Sequence, residues 1–296
     1  MNNLSAILTP EFVSAILLPA LVAGVAVSLC SSLLGVSLVL KRCSMIGDGL
    51  SHVGYGTLCV AVAMGWAPMR VTIPVVVVAA YILLRLSESS RLGGDTAIAL
   101  FSTSALAIGI FASSKASLMT DVSHYMFGSI MAMTKADVIF SVILSACVLL
   151  VYLLFYDKIF AVTFDENFAR ATGLNVRFYN LLIAVLTAVT VVLGMMMMGA
   201  LLISSLMIFP AVTAMRLCKR FRAVVITSVL ISVSCFLLGL FFSLAADTSV
   251  GASVILVNLA VFILASLLSA LPGKKAEGTI ESEEKAVSFV CFYKNR

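Results

Sequence analysis

The sequence predicts an all-α polytopic membrane protein with eight or nine transmembrane helices. Three observations carry that expectation. Of the 296 residues, 62% are hydrophobic and only 11% charged, whereas a soluble domain is about half apolar and about a quarter charged. Mean hydropathy is +1.16. The apolar residues form long stretches of the ~20 residues that one crossing needs. These figures exclude a single-core soluble enzyme and a disordered chain. The net charge of +5 is too small to argue for nucleic acid, so the position of the basic residues matters more than their sum.

Read in order, the apolar stretches are Phe12–Leu40, Ile46–Met64, Val71–Leu86, Thr96–Ser114, Asp137–Tyr156, Phe178–Met198, Ala200–Leu217, Ala223–Leu244 and Val250–Leu271. The first is too long for a cleaved signal peptide, has no basic lead-in, and is followed quickly by another span. The two stretches around Gly199 run together without a polar break, as a tight helical hairpin or one broken helix. Basic residues collect in cytoplasmic loops. With the loop after the first span inside, the cytoplasmic side holds Lys41, Arg42, Arg85, Arg91, Lys158, Arg170, Arg177, Arg216, Lys219, Arg220, Arg222, Lys274 and Lys275, and the outer side only Arg70, Lys115 and Lys135. A nine-span count puts the N-terminus outside and the C-terminus inside.

Residues 1–272 read as one transmembrane domain and residues 273–296 as a polar, mobile cytoplasmic tail. Two segments do not span. The outer one, about 118–134, carries Asp121, His124, Tyr125, Phe127 and Gly128, and reads as re-entrant or interfacial. His124, near Asp121, serves either as part of an outer gate or as an ordinary interfacial histidine. The inner one, about 157–177, contains a start-and-stop pattern in which Asp165 caps a short helix ending at Gly173. That helix is either a dock for a partner or a plain connection.

An ionisable residue inside a span is costly and therefore a functional hypothesis. The second span reads Met45-Ile46-Gly47-Asp48-Gly49-Leu50-Ser51-His52-Val53-Gly54-Tyr55-Gly56. Asp48 and His52, four apart, share a helix face, which Tyr55 and Cys59 continue. At 1.5 Å per residue from the interface marked by Lys41 and Arg42, Asp48 lies roughly 10 Å and His52 roughly 16 Å deep, near the middle of a core ~30 Å thick. A carboxylate oxygen with an imidazole nitrogen suits zinc, manganese or ferrous iron better than calcium or magnesium. One such pair is half a site, and a second copy across a two-fold axis would complete it. The competing reading is a polar packing device. Glycines 47, 49, 54 and 56 allow close helix approach.

Other features weigh less. Met195–Met198 point in four directions, which favours gap-filling over a thioether site. Pro210 is expected to kink the seventh span. The seven cysteines include no CxxC pair, so neither a zinc ribbon nor a disulfide framework is expected. The absence of GxxxxGK[ST], GxSxG and HExxH removes ATP hydrolysis and the common hydrolase chemistries from this chain, so it is not expected to be an enzyme. Uphill transport would draw on an ion gradient or a partner.

Three stretches together resemble the membrane permease of the zinc/manganese/iron importers of the ATP-binding-cassette class. They are Leu40-Lys41-Arg42 with Ile46-Gly47-Asp48-Gly49-Leu50-Ser51-His52; Tyr125-Met126-Phe127-Gly128-Ser129 followed by Asp137; and Phe164-Asp165-Glu166, Ala169, Thr172-Gly173 and Asn180-Leu181-Leu182, running on through Gly199-Ala200-Leu201-Leu202-Ile203 to Pro210-Ala211-Val212-Thr213-Ala214. Gly49 replaces the family's usual alanine, and Tyr55 stands where smaller residues are commoner and could narrow the path. The resemblance implies a multi-pass bacterial plasma-membrane permease, homodimeric or paired, on a cytosolic ATPase dimer, fed by an extracytoplasmic metal-binding protein. It implies metal ligation by Asp48 and His52, and ATPase coupling through Asp165, Glu166, Phe168, Ala169, Arg170 and Gly173. Asp121, His124 and Tyr55 would form an outer gate. The metal is then substrate rather than cofactor, with zinc the first expectation. Family members have about eight spans, which would make the stretch around Gly199 less than a full crossing. The alternative is a stand-alone secondary transporter or channel using the same pair.

Overall fold

The computed structural model describes residues 18–89, 94–115, 135–246 and 248–270. Eleven helices account for them: α1 (Leu18–Leu40), α2 (Met45–Ala63), α3 (Pro68–Ser89), α4 (Gly94–Lys115), α5 (Lys135–Leu154), α6 (Tyr156–Phe164), α7 (Glu166–Ala171), α8 (Val176–Met198), α9 (Ala200–Leu217), α10 (Phe221–Ala246) and α11 (Val250–Ala270). No strand occurs among the described residues. Asp121, His124 and the rest of the outer segment, like the 273–296 tail, lie outside the described residues.

Seven helices (α1, α3, α4, α8, α9, α10 and α11) are long and apolar enough to cross a membrane, and α5 with α6, bent by 69°, makes up to eight. Helix α2 has 19 residues, a rise of ~28 Å. Its glycines, Asp48 and His52 dilute its hydropathy, and its neighbours α3, α4, α8 and α9 shield it. By length and hydropathy the described helices therefore give seven crossings, or eight with the bent pair, and α2 is not among them. The bend between α5 and α6 falls where the sequence turns from an apolar span to Tyr156-Asp157-Lys158. Tyr156 and Phe160 pack there on Phe221.

Helices α1 and α8 form the centre, each with a spanning window 72% buried, against 28% for α3, α4 and α11. The central position explains the small residues of α1. Gly35 lies so close to α9 that a Cβ would stand 2.0 Å from the Met207 carbonyl oxygen. The hydroxyls of Ser28, Ser31 and Ser32 donate to carbonyls three residues back, which satisfies them where no water is available.

Gly199 alone separates α8 from α9, with φ 93° and ψ 153°. Only glycine adopts such a conformation cheaply. Gly194 and Ile203 meet across it, since a Cβ at Gly194 would lie 2.3 Å from Ile203 Cδ1. In a continuous helix those residues would be ~13.5 Å apart along the axis. The chain therefore doubles back as a tight hairpin. Pro210 lies within α9, which continues through it to Leu217. Cys30, Cys43, Cys59, Cys147, Cys218 and Cys235 are free thiols.

The tightest helix pair is α2 with α4. A Cβ at Gly56 would stand 2.3 Å from the Ala105 carbonyl oxygen, and one at Gly109 would stand 2.4 Å from Gly56 Cα. Backbone meets backbone there, so no side chain can move aside. Gly56→Ala is expected to cost about 1–3 kcal/mol or more, read as a lower melting temperature of the purified protein in detergent. Wild-type melting would show that the two helices tolerate a wider gap.

Candidate functional site

Asp48 and His52 project from the first two turns of α2, with Asp48 Oδ2 3.6 Å from His52 Nε2. That is ion-pair range and too long for a hydrogen bond, so neither group is committed to the other in a way that would exclude a shared cation. The first-turn position also suits a carboxylate, because the helix dipole presents its positive end there. Their side chains are 43% and 27% exposed respectively, so the pair opens onto the surface of the single chain. Ser204, in the second turn of α9, stands beside Asp48.

Four glycines in one helix cost stability, and their surroundings account for them. A Cβ at Gly47 would meet Met207 of α9, at Gly49 Ile98 of α4, at Gly54 Met195 of α8, and at Gly56 Ala105 of α4. Three neighbours thus press against α2 on the sides away from the Asp48–His52 opening. Met195 fills one of these contacts, and Met197 and Met198 are also buried, in keeping with gap-filling. Tyr55 is only 7% exposed, with Cys59 beside its hydroxyl. It therefore packs inside the protein instead of projecting into an open path. Among the described residues no group of three or more His, Cys, Asp or Glu could hold a metal. Asp48 and His52 together offer two donors, half of what a tetrahedral site requires.

The second feature is α7. Asp165 is extended (φ −147°, ψ 103°), and its side chain accepts hydrogen bonds from the backbone N–H groups of Asn167 and Phe168 at 2.9 and 3.0 Å, a regular N-cap. Gly173, at φ 83°, ends the helix. The Gly173 and Leu174 N–H groups donate back to Arg170 and Ala169 carbonyls, the usual glycine stop. Ala169 is fully buried and joins Val162, Val176 and Tyr179 in a small cluster, which seats α7 against α6 and α8. Phe164 and Phe168 are 70% and 39% exposed, and Asn167 and Arg170 are exposed beside them. The end of α6 and the helix α7 thus present aromatic and cationic side chains outward.

Glu166, exposed like its neighbours, also turns one oxygen toward its own chain. Its Oε1 accepts from Lys41 Nζ at 2.7 Å and from Asn180 Nδ2 at 3.0 Å, and Lys41 donates to Asn180 Oδ1 as well. Burial would raise the Glu166 carboxyl. The hydrogen bonds from Lys41 and Asn180 and the Lys41 and Arg170 charges outweigh it, holding the group below the ordinary carboxylate range. A carboxylate lowered in this way stabilises the folded state above its unfolded pKa, and that contribution is lost only as pH falls through the lowered value. The contact is therefore intact at neutral pH. Lys41 was legible in the sequence only as an interface marker and Asn180 only as part of a motif. Lys41 lies 125 residues from Glu166, a separation that carries no local signal.

The manganese import system permease protein ScaB of Streptococcus gordonii is 28% identical over 250 residues, covering 84% of this chain and 90% of that protein. The high-affinity zinc uptake system membrane protein ZnuB of Haemophilus influenzae is 28% identical over 250 residues, covering 84% of this chain and 96% of that protein. Among solved structures, PsaBC from Streptococcus pneumoniae in complex with Fab matches with a TM-score of 0.75 at 28% identity, covering 84% of this chain and 90% of that one. Residues 14–269 match the ABC 3 transport family, and the chain belongs to that family.

Proposed function

We propose that this chain is the permease subunit of a bacterial inner-membrane ATP-binding-cassette importer carrying a divalent transition metal (zinc, manganese or ferrous iron) into the cytoplasm. The observation that carries the reading is the Asp48–His52 pair, uncommitted at 3.6 Å and open to the surface of a membrane-buried helix. Relatives named for manganese and for zinc support the substrate class.

In this reading a second copy places its own Asp48 and His52 opposite the first pair, giving two carboxylate and two imidazole donors. The two carboxylates neutralise a dication in surroundings that solvate it poorly. Splitting the site between subunits also supplies a release step. When the subunits move apart, each half retains two donors and the affinity falls. Transport requires such a difference in affinity between states, because a ligand held equally by both shifts nothing. An extracytoplasmic binding protein delivers the metal. Cytosolic ATPases supply the work, seated on Phe164 at the end of α6 and on Phe168 and Arg170 of α7. His124 and Asp121 belong to the outer entrance.

The direct test is radiometal uptake in cells. Asp48→Ala and His52→Ala should each reduce uptake to background while membrane level and co-purifying ATPase stay unchanged. Uptake near wild type in either variant would overturn the site assignment. His124→Ala should lose less than His52→Ala, and an equal loss would move the outer segment into the binding site. Competition with unlabelled zinc, manganese and ferrous iron then identifies the preferred ion.

Docking has its own prediction. Asp165→Ala removes the cap of α7 at a cost of about 0.5–2 kcal/mol, and Phe168→Ala with Arg170→Ala strips the outward face. Both should lower the ATPase recovered with the tagged permease, the surface variant more than the cap variant. Full recovery with the surface variant would place the ATPase elsewhere.

A further inference from the structure

The contact of Glu166 with Lys41 and Asn180 points to more than docking, given the proposed seat of the ATPase on α7. An acidic residue serving an outside partner would direct its oxygens outward. Glu166, although its side chain is 44% exposed, turns one oxygen inward, where it accepts two hydrogen bonds from its own chain. The three residues form a closed triangle in which Lys41 donates twice, Glu166 accepts twice, and Asn180 does one of each. The triangle joins three separate segments: the turn after α1, the start of α7, and the second turn of α8.

Two of those segments lead to the metal pair. Lys41 opens the turn into α2, and that turn is short and stiff. Arg42 takes a left-handed φ of 57°. Arg42 N–H donates to the Val39 carbonyl, Cys43 N–H to the Leu38 carbonyl, and Ile46 N–H to the Cys43 carbonyl. Displacing Lys41 therefore displaces the first turn of α2, where Asp48 sits. Asn180 stands on α8, whose other end places Met195 against Gly54 and continues through the Gly199 turn to Ser204 beside Asp48. Both routes from the triangle converge on Asp48.

There is also room for movement. A cavity of about 240 Å³ borders the triangle, lined by Lys41, Glu166 and Asn180 together with Leu38, Ile46 and Thr163. The buried Thr163 hydroxyl has no hydrogen-bond partner there. A passive packing tie would be close-packed. This one adjoins open volume and a hydroxyl without a partner, which leave it room for a second arrangement.

We propose that Lys41, Glu166 and Asn180 form the joint that carries movement of α7 to the Asp48–His52 helix, with Glu166 a positioning residue. The test uses the permease assembled with its ATPase in proteoliposomes, with zinc or manganese uptake and ATP hydrolysis measured together. With E166Q the ATPase should remain stoichiometrically bound and the metal concentration at half-maximal uptake unchanged, while metal moved per ATP falls at least fivefold. The swap K41E/E166K restores the ion pair in reverse and should recover at least half of that ratio. E166Q moving as much metal per ATP as wild type, E166Q shedding the ATPase, or a swap no better than the single variant would each overturn the joint. A wild-type complex that moves no metal would overturn the proposed function and this inference with it.

Discussion

A carboxylate and an imidazole on a helix that must cross lipid are the constraint around which this molecule is arranged. Neither side chain is long enough to reach an interface from the depth that the spacing implies, so the protein has to provide their surroundings. It does so by walling α2 with α3, α4, α8 and α9. The close approach is bought with glycine: Gly47, Gly49, Gly54 and Gly56 each admit a neighbour that a methyl group would meet at 2.3–3.1 Å. The glycine-rich character of α2 is therefore a packing consequence of its close neighbours, while Asp48 and His52 open onto the surface of the chain.

The hairpin at Gly199 serves the same end. By folding α8 back into α9 with one intervening residue, it sets Met195 and Met207 against two glycines of α2 and brings Ser204 to Asp48. A longer loop would leave those contacts free to slide relative to one another. A single glycine in a conformation closed to other residues holds them in register. The bend between α5 and α6 does similar work at the other end of α8. It directs the chain across the end of the bundle, so that α7 can be capped, anchored on Ala169, and tied through Glu166 to α1 and α8.

The structure also separates roles that adjacent positions obscure. Asp165 and Glu166 are consecutive acidic residues, yet one caps α7 through backbone N–H groups and the other binds side chains from distant segments. Phe168 and Ala169 are likewise adjacent, and one faces out while the other is fully buried. Tyr55 follows the Asp48–His52 face in sequence but packs inward with Cys59. In a helix a shift of 100° per residue is enough to exchange a ligand-facing position for a core position.

By itself the sequence determined the class of the molecule, the helical stretches, and the two short signals that survive without tertiary context. Hydropathy over some twenty residues is a property of the chain, because the lipid core imposes one length and one polarity on any crossing. The i,i+4 spacing of Asp48 and His52 and the cap-to-glycine pattern of Asp165–Gly173 are local in the same way. Tertiary structure alone decided between a hairpin and a broken helix at Gly199, because the φ and ψ of one glycine depend on what Gly194 and Ile203 pack against. It alone joined Lys41, Glu166 and Asn180, because no periodicity links residues 125 positions apart. Bringing such residues together is the work of the packed bundle, where a buried lysine and a buried amide must find partners or carry an unpaid desolvation cost.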